Sequence, residues 1–114
     1  MKREHKDYIA DIVNAITEIE EFTKGLTFAE FEKDKKTVFA VIRALEIIGE
    51  AAKKIPLAIK SKHKNIPWKQ IAGMRDKLVH EYFGVNVEVI WKTITEDIPP
   101  LKPLIERLSD SSQK

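Results

Sequence analysis

From Ile9 onward an apolar residue recurs every third or fourth position: Ile9, Ile12, Val13, Ile16, Ile19 and Phe22. The same spacing returns in Val38, Val41, Ile42, Leu45, Ile48, Ala52 and Ile55. A period near 3.6 places such residues on one face of a helix, whereas a half-buried strand needs alternation, and no convincing alternating run occurs. The chain is thereby expected to be all-α. Gly25 tolerates the left-handed conformation that ends the first helix. Pro56 supplies the stop for a second helix over 36–55. Residues 27–36 read as a polar connection carrying Phe28 and Phe31, with room for a short helical turn. Residues 57–65 read as a short helix or an irregular loop. Pro67 suits the first position of a third helix with Trp68, Ile71, Ala72, Met74 and Leu78 inward, running out before Gly84. Asn86 is the expected N-cap of a fourth helix burying Val87, Ile90, Trp91 and Ile94. Pro99, Pro100 and Pro103 punctuate the start of a last helix that ends near Leu108. A chain of 114 residues holds one domain. The expectation is an up-and-down bundle of four to five helices over 1–108, followed by a disordered polar tail over 109–114.

Composition removes whole classes of function. With 43% apolar residues the chain can bury a core, which argues against disorder. The absence of Cys excludes disulfides, thiol nucleophiles and cysteine-based zinc sites. His5, His63 and His80 lie far apart, and His80-Glu81 does not open a zinc-protease helix, because Gly84 stands four positions after His80. The four glycines are too scattered for a phosphate-cradling loop. No metal and no cofactor is therefore expected. Arg43, Glu46 and Glu50 interrupt the most apolar stretch, 38–52, so no membrane span is expected. The charged start of the chain does not resemble a secretory signal, and a cytoplasmic protein is expected.

The net charge of +2 conceals a segregation. Residues 1–50 carry −3 and residues 81–114 carry −2, whereas residues 51–80 carry +7. Lys53, Lys54, Lys60, Lys62, Lys64, Lys69, Arg75 and Lys77 stand there against Asp76 alone. Such a block attracts a phosphate backbone without reading its sequence. A solvated lysine-rich face, or an acidic partner protein, accounts for it equally well.

Within that block lies Arg75-Asp-Lys-Leu-Val-His80-Glu-Tyr82. Arginine is permanently charged and offers a planar fork of donors that fits a phosphate. Histidine exchanges a proton near neutral pH, and tyrosine adds a hydroxyl and a ring that stacks on bases. Alone, the spacing Arg-x4-His-x-Tyr is a weak pattern, and exposed Arg75 and Asp76 beside a helix-end His80 would also produce it. Glu46 and Glu50 share a helical face four residues apart; they could pair as carboxylates or bind Arg43, Lys53 or Lys54 across an exposed surface.

The segment resembles the HepT-like branch of the HEPN superfamily, helical toxin ribonucleases marked by Arg-x4–6-His with a Tyr two residues after the His. Ile47-Ile-Gly-Glu50-Ala-Ala52 is similar to that family's Gly-Glu-Ala segment. Ile66-Pro-Trp68, Ile71-Ala-Gly73-Met-Arg75-Asp, His80-x-Tyr82, residues 87–91 and Ile98-Pro-Pro100-Leu fall in the family's order and spacing. The resemblance covers roughly 7–108 and includes a small polar residue, Asp76, after the Arg. It implies an all-helical homodimer with the active site between chains and metal-independent cleavage of RNA. It also implies a minimal nucleotidyltransferase antitoxin that inactivates the toxin by transferring AMP to the motif Tyr, here Tyr82.

Helical geometry gives a separate reason to expect two copies. At about 100° per residue, Arg75 and His80 lie about 140° apart, so one straight helix cannot aim both at one phosphate. Either the helix unwinds before Gly84, or two copies converge across a twofold axis; both together are expected. Asp76, four residues before His80, is placed to orient its imidazole. In this reading His80 removes the 2′-hydroxyl proton, His80 of a second copy protonates the leaving oxygen, and Arg75 stabilises the charge on phosphorus-bound oxygens. Lys60, Lys62, Lys64, Lys69 and Lys77 hold the strand, and Glu50 braces Arg75, lines the cleft or forms a plain ion pair. Two alternatives stand beside it: a non-catalytic helical subunit that binds a nucleotidyltransferase, and a helical dimer that binds nucleic acid without cutting it.

Overall fold

The computed structural model describes residues 3–80 and 86–112, with side chains at all of these except 76–80 and 110–112. Every regular element among them is helical. The helices are α1 (His5–Thr23), α2 (Phe28–Lys33), α3 (Lys35–Lys54), α4 (Leu57–Lys62), α5 (Trp68–His80), α6 (Val87–Lys92) and α7 (Ile98–Ser112), with a π-helical stretch, Thr93–Asp97, joining the last two.

Local chemistry explains the boundaries. Gly25 takes φ +76°, the left-handed geometry that turns the chain out of α1. Thr27 and Glu30 form a reciprocal capping box: the Glu30 amide donates to Thr27 Oγ1, and the Thr27 amide donates to Glu30 Oε1. The room left for one turn between the long helices is thus filled by α2. Asp34 caps α3, accepting from the Thr37 amide at 3.1 Å and from its hydroxyl at 2.7 Å. These two bonds hold the Asp34 carboxyl below its ordinary pKa. Pro67 sits one position earlier than expected, at the N-cap, where its carbonyl accepts from Ile71. Asn86 caps α6 as its sequence position suggested, accepting from the Glu88 amide at 2.9 Å.

The stripes that were apolar in sequence form one core. Ile9, Ile12, Ile16 and Ile19 of α1 meet Val41, Leu45 and Ile48 of α3, with Ile71 of α5 and Ile105 of α7 closing the other sides. α1 and α3 run antiparallel, since the Tyr8 ring near the start of α1 lies 5.8 Å from the Lys54 ammonium at the end of α3. A Lys102–Glu20 ion pair at 2.8 Å ties α7 to α1. No buried polar residue occurs among the described residues, so burial of apolar area carries the packing.

Two expectations need correction and a third needs an addition. Phe22 was placed in the α1 stripe, yet it is 40% exposed, because the helix ends before a further turn can cover it. The prolines at 99, 100 and 103 stand in the first turns of α7, as expected, but no loop sets that helix apart. Helical backbone runs without a break from α6 through the π stretch into α7. The Ile98 amide donates back to Thr93, five residues earlier, and this wider turn makes room for prolines that would crowd an α register. Finally, α7 continues to Ser112; Leu108 marks the end of its buried stripe and not of its backbone. Among the described residues no helix is long and apolar enough to cross a membrane.

Candidate active site

The site begins with a glycine on α3. Gly49 is buried among the residues that face α5, and a Cβ built on it would lie 2.6 Å from Arg75 Cβ and 3.1 Å from the Arg75 amide nitrogen. Only the missing side chain allows the α5 backbone to approach so closely. Ile71 and Met74, one turn and one residue before Arg75, are buried and hold the two helices in this register. Arg75 is thus fixed at its root by contact with α3.

Its far end meets Glu50, the residue after that glycine. Arg75 Nε lies 3.4 Å from Glu50 Oε1, with the two side chains 39% and 37% exposed. The atom Nε itself is buried and has no hydrogen-bond partner. The contact is therefore an ion pair that aims the guanidinium without saturating it. Glu50 Oε1 is shared with Arg43, whose Nη1 stands 3.8 Å away and also lies 3.6 Å from Glu46. The two carboxylates of α3 are thus each engaged by arginine, the ion-pair reading of that face. Of the roles expected for Glu50, the ion pair with Arg75 is present, and the Glu50 side chain is 37% exposed.

The remaining candidates divide according to where they fall. His80 is the last residue of α5, with Asp76 and Lys77 in the turn before it; their side chains are outside the described set. Tyr82 lies outside the described residues altogether. The helical backbone persists to His80, so an ideal helix separates positions 75 and 80 by about 140° around its axis. Of the lysines, Lys60 and Lys62 ride on α4, Lys64 follows it, and Lys69 opens α5; Lys62, Lys64 and Lys69 are exposed and Lys60 is half-buried. The Trp68 indole N–H donates to the His63 carbonyl at 3.1 Å, tying the lysine-bearing connection to the start of α5. Among the described residues no group of three or more His, Asp or Glu side chains could hold a metal ion.

Two contributions escaped sequence reasoning. The first is the packing role of Gly49, which was legible only as part of a motif. The second is the sharing of Glu50 between Arg43 and Arg75, which required knowing that α5 docks beside residue 50.

Comparison with known proteins identifies the family. A family model described as ribonuclease HepT-like matches residues 12–108. A protein of Thermococcus cleftensis named a probable ribonuclease HepT is 62% identical over 108 residues, covering 95% of this chain and 98% of the relative. A protein of Caldanaerobacter subterraneus subsp. tengcongensis, named as a candidate RNase, is 46% identical across 90% of this chain and 92% of its own. Another candidate RNase, from Methanocaldococcus jannaschii, is 46% identical across 94% and 92%. No solved structure gives a significant match. With a family model matching residues 12–108, a span that includes Gly49, Glu50, Arg75 and His80, the chain belongs to the HepT-like ribonuclease family.

Proposed function

We propose that this protein is an endoribonuclease, the toxin of a toxin–antitoxin pair, and that it cleaves RNA through Arg75 and His80 of two paired copies. Its support is the placement of Arg75, in a chain of a ribonuclease family: anchored by a glycine contact, aimed by Glu50, and still holding donor capacity. RNA brings its own nucleophile. His80 of one copy takes the 2′-hydroxyl proton as that oxygen attacks phosphorus, and His80 of the other delivers a proton to the departing 5′-oxygen. The products are a 2′,3′-cyclic phosphate and a 5′-hydroxyl. Arg75 stabilises charge gathering on the non-bridging oxygens, a task that needs no metal. The angular separation of positions 75 and 80 on α5 favours a twofold dimer, which brings both residue types to one cleft. Asp76 orients His80, and Lys60, Lys62, Lys64, Lys69 and Lys77 hold the strand.

Control falls to a partner. A minimal nucleotidyltransferase antitoxin transfers AMP from ATP to the Tyr82 hydroxyl, releasing pyrophosphate and leaving a phosphodiester charge beside Arg75. The reading places the pair in the cytoplasm, with no cofactor of the toxin's own.

Purified protein is expected to cut RNA in excess EDTA, leaving cyclic phosphate ends, with a solution mass twice that of the chain. His80→Ala and Arg75→Ala should each lower the rate by at least about a hundredfold. Undiminished cleavage by a folded His80→Ala protein overturns the mechanism. Mass spectrometry after incubation with the nucleotidyltransferase and ATP should show AMP on wild type and none on Tyr82→Phe. A second reading, a non-catalytic subunit for the nucleotidyltransferase, predicts partner binding with no cleavage by any form.

A further inference from the structure

The end of α3 carries a second feature beyond the Arg75–Glu50 pair. One turn after Glu50, about 6 Å along the helix axis, stands Lys54, whose ammonium lies 5.8 Å from the centre of the Tyr8 ring. The Arg3 guanidinium lies 4.9 Å from the same ring. Tyr8 is half-buried; it packs against the core at the start of α1. Arg3 is held by Asp11 at 2.8 Å and by the Asp7 carbonyl at 3.3 Å. Asp11 also keeps the Arg3 pKa above its ordinary value. Asp7 and Asp11 therefore offset the charge of Arg3, while Lys54 at the end of α3 lies in the block that carries +7.

A ring with a guanidinium and an ammonium both over it is a combination that single-stranded nucleic acid can use. The base stacks on the aromatic or guanidinium face, and the adjoining phosphate meets the cation. The site is also correctly placed. Arg75 reaches Glu50, Glu50 is one turn from Lys54, and Lys54 reaches Tyr8. These contacts make Arg75 and the ring successive neighbours along the end of α3. We propose that Tyr8, with Arg3 and Lys54, forms a subsite that stacks an unpaired RNA base flanking the linkage cut at Arg75. This rests on the function proposed above and adds to it a preference for single-stranded substrate. Because stacking accepts any π-face, the subsite selects unpaired strands and not a base sequence.

The test separates the subsite from the nuclease. A labelled single-stranded oligonucleotide is titrated by fluorescence anisotropy against the full chain carrying His80→Ala, which binds without cutting, and Tyr8→Leu is added in that background. Affinity should fall about tenfold, whereas Tyr8→Phe, which keeps the ring, should bind as the parent does. A fully paired RNA duplex should bind the three proteins alike. Because Tyr8 touches the core, Lys54→Ala provides a variant at an exposed position and should weaken single-strand binding several-fold. Photocrosslinking of a halogenated oligonucleotide should attach to Tyr8 in the peptide map. Unchanged affinity in Tyr8→Leu, or crosslinks only elsewhere, overturns the subsite while leaving cleavage by the wild type intact. Tyr8-dependent binding by a wild type that never cuts RNA would uphold the subsite and overturn the nuclease.

Discussion

At Gly49 the fold has no spare volume. A methyl group there meets the Arg75 Cβ at 2.6 Å, and its neighbours are backbone and a side-chain root, neither of which can swing aside. Gly49→Ala is therefore expected to push α5 off α3, with about 1–3 kcal/mol lost in urea denaturation. RNA cleavage should fall further than stability does, because Arg75 moves with the helix. Glu50→Gln isolates the other half of the arrangement: it keeps the shape and removes the charge that aims Arg75. The pair is more than a third exposed, so folding stability should change by less than about 1 kcal/mol. A steady-state comparison should show the loss in kcat, with KM nearly unchanged, if Glu50 positions Arg75 for the transition state.

At the scale of single elements, the caps decide where helices start. Asp34 is the test case, because folding lowers its pKa through bonds from the Thr37 hydroxyl and amide. A lowered folded value means that the cap stabilises fully above the ordinary aspartate value, about 3.9. The contribution then vanishes as the pH drops through the folded value. Asp34→Ala should thus melt below wild type at neutral pH, and the gap between the two should narrow as the pH falls below the ordinary aspartate value. Thr27→Ala removes one arm of the capping box of α2 and should cost about 1 kcal/mol by chemical denaturation. Periodicity and caps made α1, α3 and the start of α6 readable. They did not show the π turn at 93–97, where Thr93 and Thr95 return hydroxyl bonds to Val89 and Trp91 and the backbone widens. Local rules treat proline as a stop; a widened turn packed through Ile94 and Ile98 on the core carries the rod past it.

For the molecule as a whole, stability rests on aliphatic packing between α1, α3, α5 and α7. Ile48 is fully buried beside the glycine that seats Arg75. Ile48→Ala should destabilise by about 2–5 kcal/mol in equilibrium unfolding, the range for a core cavity. The Lys102–Glu20 pair that joins α7 to α1 is exposed, and its loss should be nearly silent by comparison. Charge also divides by region: the basic segment 51–80 comprises the end of α3, the connection through α4 and all of α5.

Hydrophobic spacing, glycine and proline positions and capping residues lie within a few residues of one another, so the chain's local order alone determined that it is helical, where its long helices run and which stripes turn inward. The spacing of Arg75, His80 and Tyr82 was by itself a weak pattern, and it was the resemblance of several segments to one family that pointed to a chemistry. Which atoms meet was settled only when α5 docked on α3. That contact joins residues twenty-five positions apart, Glu50 to Arg75, and depends on an absent side chain at Gly49. Sequence distance carries no information about such a meeting, because close packing of two helices is a property of the surfaces they share and not of either one alone.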